Sequence, residues 1–152
     1  LKIGIPKEIR PGETRVAATP ETVKKYIAAK HSVQVEAGAG AGAHIPDADY
    51  AAVGAQIVPA STLYAEAELL LKVRPPLPEE AAQMKSGQVL VGTLNRFDTA
   101  GLDGLAARGV TGFALEAAPR ISRAQSLDVL SSQANLGGYL AVLTAATHYP
   151  KV

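Results

Sequence analysis

The sequence predicts an α/β domain in three layers around a mainly parallel sheet. Three observations predict it. Short apolar runs alternate with helical segments. Most of those runs are apolar on successive residues, as strands covered on both faces should be. A length of 152 residues, 47% of them hydrophobic, suits one core, and such a chain buries roughly 70% of the surface it exposes when extended.

The runs at 2–5, 33–37, 69–73, 89–93 and 110–115 read as strands. The clearest helix opens at Thr19-Pro20-Glu21, an N-cap, a proline at the first helical position and an acid in the first turn, and runs over 20–30 with Val23, Tyr26 and Ile27 on one face. Further helices are expected over 47–53, 63–68 and 79–84. Another is expected over 99–108, closed by Gly109, where a left-handed cap favours glycine. Right-handed crossovers join such strands in parallel. With no repeat and no low-complexity linker, no internal domain boundary is placed.

Fifteen Lys and Arg face fourteen Asp and Glu, a net charge of +1 that offers no electrostatic grip on nucleic acid or anionic lipid. The absence of cysteine excludes a disulfide framework, a thiolate zinc site and a Cys nucleophile, and it fits an intracellular protein. Any redox chemistry must therefore come from a cofactor. The apolar start at 1–5 is closed by Pro6 and is too short for a secretory signal. The uncharged stretch 129–148 has the length of a membrane span, but Ser131, Ser132, Gln133, Asn135 and Thr144 favour a helix in a soluble protein. The histidines, His31, His44 and His148, show no ligand spacing, so no metal site is expected.

Three stretches are candidates for chemistry. The run 38–43 follows a strand and matches G-x-G-x-x-A, the glycine pattern that lets a backbone approach a pyrophosphate. A nucleotide loop opens a helix at once, however, whereas His44-Ile45-Pro46 intervenes here and the next cap candidate is Asp47. A plain Gly/Ala connection is the favoured reading. The second is the basic loop 6–15 after the first strand. Ligands of open α/β sheets bind beyond the carboxyl ends of strands, so Arg15 is placed to clamp a carboxylate, with the charge of Lys72 near the same sheet edge. A solvated loop with local Arg–Glu pairs explains the composition equally. The third, 119–133, gathers Arg120, Arg123, Gln125, Asp128 and several hydroxyls where the chain leaves the last strand. An amide-binding loop and an ordinary helix start with a Ser122–Gln125 capping box fit it equally well.

At these residues a resemblance appears. Lys2-Ile3-Gly4-Ile5-Pro6-Lys7-Glu8, Arg10-Pro11-Gly12-Glu13-Thr14-Arg15-Val16-Ala17 and Thr19-Pro20-Glu21 resemble an amino-terminal signature. It is shared by alanine dehydrogenase and the NAD(H)-binding alpha subunit of proton-translocating nicotinamide nucleotide transhydrogenase. The run 119–139, with Arg-Ile-Ser-Arg-Ala-Gln-Ser-Leu-Asp and Leu-Ser-Ser-Gln-Ala-Asn, is similar to transhydrogenase in particular, and the likeness covers essentially the whole chain.

The resemblance implies a Rossmann-like or flavodoxin-like lobe over 1–152 that includes a linking helix at about 129–148 and lacks the true dinucleotide-binding lobe. It implies hydride transfer from NADH to NADP coupled to proton translocation, with NADP(H) on a partner domain. Arg120, Gln125 and Asp128 match a loop that cradles the dihydronicotinamide, with Ser131 close behind. Arg120 and Asp128 would brace each other at the carboxamide, and Gln125 would reach the ribose or bridge the two nucleotides. Arg15 and Lys72 match the pyruvate-binding Arg and Lys of alanine dehydrogenase, but the transhydrogenase signature keeps those positions too. Where alanine dehydrogenase places a histidine after the fourth predicted strand, this chain has Asn95.

Expected partners are the NAD-binding lobe of the same subunit, an NADP-binding domain and a membrane domain or beta subunit, and a second copy in a homodimer. No nucleic acid is expected. The expected place is the cytoplasmic side of the inner membrane, or the cytoplasm. The alternatives are an NAD-dependent alanine dehydrogenase and a noncatalytic docking or dimerisation module. A lobe so defined leaves an apolar patch exposed on the helix 129–148, where Gly137, Gly138 and Ala141 form a smooth face.

Overall fold

The computed structural model describes residues 1–119 and 121–149. Contacts group the chain into two compact units, Leu1–Ala114 and Leu115–Val152. The division is one of packing, since no change in composition marks it.

The first unit holds six strands: β1 Lys2–Ile5, β2 Ser32–Glu36, β3 Gln56–Val58, β4 Leu69–Leu71, β5 Val89–Gly92 and β6 Thr111–Ala114. They form one sheet in the order β3-β2-β1-β4-β5-β6, and every pairing is parallel. The fold is α/β and Rossmann-like. Five of the strands fall where the apolar runs predict them. The sixth, β3, went unread because it is three residues long and only partly buried at the sheet edge, so it lacks a continuous apolar run.

The helices are α1 Pro20–Ala28, α2 Asp47–Ala52, α3 Ala60–Glu66, α4 Pro78–Ala81 and α5 Thr99–Ala107. Thr19 caps α1 as expected, its side chain accepting the Thr22 N–H, with Pro20 at the start. α3 begins three residues before the expected 63, directly after Pro59, whose fixed φ of −70° sets the chain for a helix. Gly109 has φ +72°, the left-handed cap expected of it beyond α5.

Strand alternation explains the layers. Ile3 and Ile5 of β1 pack with Val23 of α1 and Tyr50 of α2, together with Val33 and Val35 of β2. Gly4 points the other way, where an added Cβ would lie 2.8 Å from Ala67 and 2.9 Å from Leu63. Only glycine permits the chain around α3 to approach β1 so closely. Leu63 and Tyr64 of α3 share a second core with Leu70, Leu90, Met84 and Leu105. Each fully buried aliphatic side chain here contributes about 1.5–3 kcal/mol.

The second unit opens with a 3-10 turn at Leu115–Ala117. A second follows at Ser122–Leu127, and then α6, Val129–His148. The expected Ser122–Gln125 capping box does not form: Ile121 precedes the turn with no side-chain cap, and Asp128 caps α6 instead. Among the described residues no helix is long and apolar enough to cross a membrane. α6 has the length but carries the hydroxyls and amides noted above.

Candidate functional site

In a sheet of order 3-2-1-4-5-6 the chain reverses direction between β1 and β4, and the crevice beyond their carboxyl ends is the usual ligand site. Here β1 runs into Lys7 and Glu8, and β4 runs into Lys72. Lys72 is fully buried. Its Nζ lies 2.5 Å from Glu80 Oε1 and 3.4 Å from Glu8 Oε2, and both carboxylates are buried.

Backbone groups fix these acids in turn. Glu8 Oε1 accepts the Val73 N–H at 2.6 Å, and Glu80 Oε2 accepts the Leu77 N–H at 2.7 Å from the start of α4. Tyr64 donates its hydroxyl to Glu80 Oε1 at 3.3 Å. Burial, reinforced by the Glu80 carboxylate, pushes the Tyr64 phenol well above its ordinary range, so it remains a donor. Gly92 lets β5 close on this cluster, because a Cβ there would collide with the Lys72 carbonyl. A substrate carboxylate reaching Lys72 would have to displace one of two acids.

Arg15 is similarly engaged. It donates Nε to Glu13 Oε1 at 2.8 Å and Nη2 to Oε2 at 2.6 Å, a two-pronged pair on a guanidinium that is 45% exposed. That hydrogen-bonded pairing holds the Glu13 carboxyl at about 2, well below its ordinary 4.5, and raises Arg15. The local Arg–Glu pairing anticipated for this loop is therefore present. Sequence reading missed Glu8, Glu80 and Tyr64. The only signal was acids set beside apolar runs, which solvated loops also show.

The glycine run 38–43 is a packing device. It forms a 3-10 turn at Ala41–Ala43 rather than opening a long helix. The Gly38 N–H, where a pyrophosphate oxygen would bind, donates to the Asp47 carboxylate at 2.9 and 3.1 Å. A Cβ on Gly42 would lie 2.9 Å from the Thr14 carbonyl oxygen, so the run serves to seat the 6–15 loop. A pyrophosphate does not fit it.

In the second unit, Gln125 and Asp128 line one hollow of about 270 Å³ with Ser122, Leu115, Ile121 and Leu130. The Asp128 N–H donates to the Gln125 carbonyl, tying the two together. Asp128 also caps α6: Oδ1 accepts the Ser131 N–H at 2.9 Å, and Oδ2 accepts the Ser131 hydroxyl at 2.6 Å. Arg120, and with it the expected Arg120–Asp128 brace, lies outside the described residues. The amide, carboxylate and hydroxyl present match the donor and acceptor pattern of a carboxamide, and the volume suits one aromatic ring rather than a dinucleotide. Asn95 follows β5 in a left-handed conformation, φ +55°, which asparagine tolerates. The next two residues stack, with the Arg96 guanidinium carbon 4.8 Å from the Phe97 ring centroid. Among the described residues no group of His, Asp or Glu is placed to hold a metal.

A Rossmann-like lobe with a polar, ring-sized hollow in its second unit is the kind of architecture found in nicotinamide enzymes. The chain belongs to the family of the alanine dehydrogenase/PNT N-terminal domain, whose model matches residues 4–137. The first of the separately encoded pieces of the NAD(P) transhydrogenase alpha subunit of Rhodospirillum rubrum is 44% identical over 158 residues, covering 99% of this chain and 41% of the relative. The crystal structure of transhydrogenase from Sinorhizobium meliloti superposes with a TM-score of 0.94 at 43% identity, covering 99% of this chain and 46% of that one. An L-alanine dehydrogenase structure superposes with a TM-score of 0.73 at 37% identity, covering 76% of this chain and 32% of that one. The chain thus spans less than half the length of these relatives.

Proposed function

We propose that this chain is the nicotinamide-contacting lobe of an NAD(P) transhydrogenase alpha subunit, in an enzyme that moves hydride from NADH to NADP and couples the transfer to proton translocation. The observation that carries the reading is the shared hollow of Gln125 and Asp128, in a chain that follows a transhydrogenase closely over 99% of its length. NADH supplies the hydride when bound. The protein's part is to hold the ring: Asp128, braced by Ser131 and by Arg120, orients the carboxamide, and Gln125 reaches toward the ribose or the second nucleotide. Hydride transfer between two rings needs no general acid or base, so fixed polar contacts suffice.

The pyrophosphate belongs to another lobe of the same subunit, since the glycine run here is taken up by Asp47 and Thr14. NADP(H) belongs to a partner domain, and the membrane step to a membrane domain or beta subunit. The whole is a homodimer at the cytoplasmic side of the inner membrane. Alanine dehydrogenase is the weaker reading, because Lys72 is already paired with acids of this chain and Asn95 replaces a proton-transfer group.

In the full subunit assembled with its partners, Gln125→Asn lowers the hydride-transfer rate far more than it weakens NADH binding. Stopped-flow reduction of NADP, set beside NADH titration, measures both. Equal loss of rate and affinity would remove the positioning role.

A further inference from the structure

We propose that Glu80, with Glu8, is a specificity determinant of this lobe: the two acids occupy the Lys72 ammonium and close the switch-point crevice to small anions. The inference goes beyond the transhydrogenase reading and stands without it, since it concerns only what this sheet end refuses.

A parallel sheet of this order binds ligands beyond β1 and β4, and a lysine there is a ready receptor for a carboxylate or phosphate. In this chain the receptor is already filled. Glu80 Oε1 sits 2.5 Å from Nζ, Glu8 Oε2 sits 3.4 Å away, and none of the three side chains is more than 4% exposed. Both acids are held independently of the lysine, Glu8 by the Val73 N–H and Glu80 by the Leu77 N–H and the Tyr64 hydroxyl. An incoming anion therefore finds two carboxylates against one buried ammonium. Glu8 Oε2 has no hydrogen-bond partner, and only its ion pair with Lys72 compensates its burial. Losing the lysine to a ligand would strand that atom, which adds a second reason for exclusion.

The test uses oxalate and inorganic phosphate as probes, titrated into the chain and followed at the backbone amides of residues 72–77 by heteronuclear NMR. The wild-type chain shows no saturable shift there. Glu80→Gln keeps the side chain's shape and the acceptor for Leu77 while removing one charge, and it tightens oxalate binding at those amides by at least about tenfold. Saturable wild-type binding at residues 72–77 would overturn the proposal. So would a Glu80→Gln chain that keeps its amide spectrum yet gains nothing.

If Glu80→Gln fails to fold, reductive methylation of the wild-type chain mapped by mass spectrometry decides the matter. Lys72 stays unmodified while the exposed Lys24 and Lys25 are methylated. Methylation of Lys72 at the rate of those two would mean an open crevice and would end the proposal.

Discussion

At the scale of single residues, the acids and bases of this chain do two different jobs. Lys72 is a buried ion whose removal strands two carboxylates, so Lys72→Met lowers stability by about 3–5 kcal/mol in urea unfolding. A chain that also carries Glu8→Gln and Glu80→Gln recovers much of that loss, because no charge is then left unpaired. Glu13 behaves differently, since its partner Arg15 is 45% exposed and the pair is screened.

The folded state holds the Glu13 carboxyl at about 2 against an ordinary 4.5. A depressed carboxyl stabilises the fold fully above the unfolded value and loses that contribution as pH drops through the folded one. The stability gap between wild type and Glu13→Gln is therefore about 1 kcal/mol or less near neutrality. It shrinks between pH 4.5 and 2 and vanishes below. Urea midpoints measured along that range check it. A gap that widens in acid would show that Glu13 is not the ionised partner.

At the scale of elements, local signals and packing divide the explanation. Thr19-Pro20-Glu21 announces α1, and Gly109 announces the end of α5, because a cap and a left-handed turn are decisions of a few adjacent atoms. β3 was illegible because an edge strand needs a neighbour more than an apolar run: Gln56, Ile57 and Val58 become a strand by pairing with Gln34, Val35 and Glu36. The start of α6 misled for a similar reason. Ser122 and Gln125 have capping-box spacing, but the intervening chain is a 3-10 turn and Asp128 takes the cap.

α6 also carries the patch expected of it. Leu136, Tyr139, Leu140 and Val142 are each 60% or more exposed, on a helix with no buried residue. An unsupported helix opens readily. Hydrogen exchange on this chain should therefore find the α6 amides exchanging far faster than those of β1 and β4. Equal protection would mean that the helix is covered.

At the scale of the whole molecule, a shared fold coexists with a changed binding site. The sheet order, the parallel pairing and the family match describe a scaffold common to alanine dehydrogenases and transhydrogenases. What separates possible chemistries is which polar groups are left free. In the first unit the cations at the sheet's carboxyl end are matched by acids of the same chain. In the second, an amide and a carboxylate share a ring-sized hollow.

By itself the sequence determined the α/β class, five of six strands, the capped helices and the two stretches, 6–15 and 119–133, in which polar groups gather. These follow from periodicity and from caps, which act between near neighbours. Only the tertiary structure decided that Lys72 belongs to Glu8 and Glu80, that the glycine run seats a loop, and that Gln125 and Asp128 meet in one hollow. An ion pair between Glu8 and Lys72 depends on which strands adjoin and how deeply their ends are buried, and no local pattern carries that information.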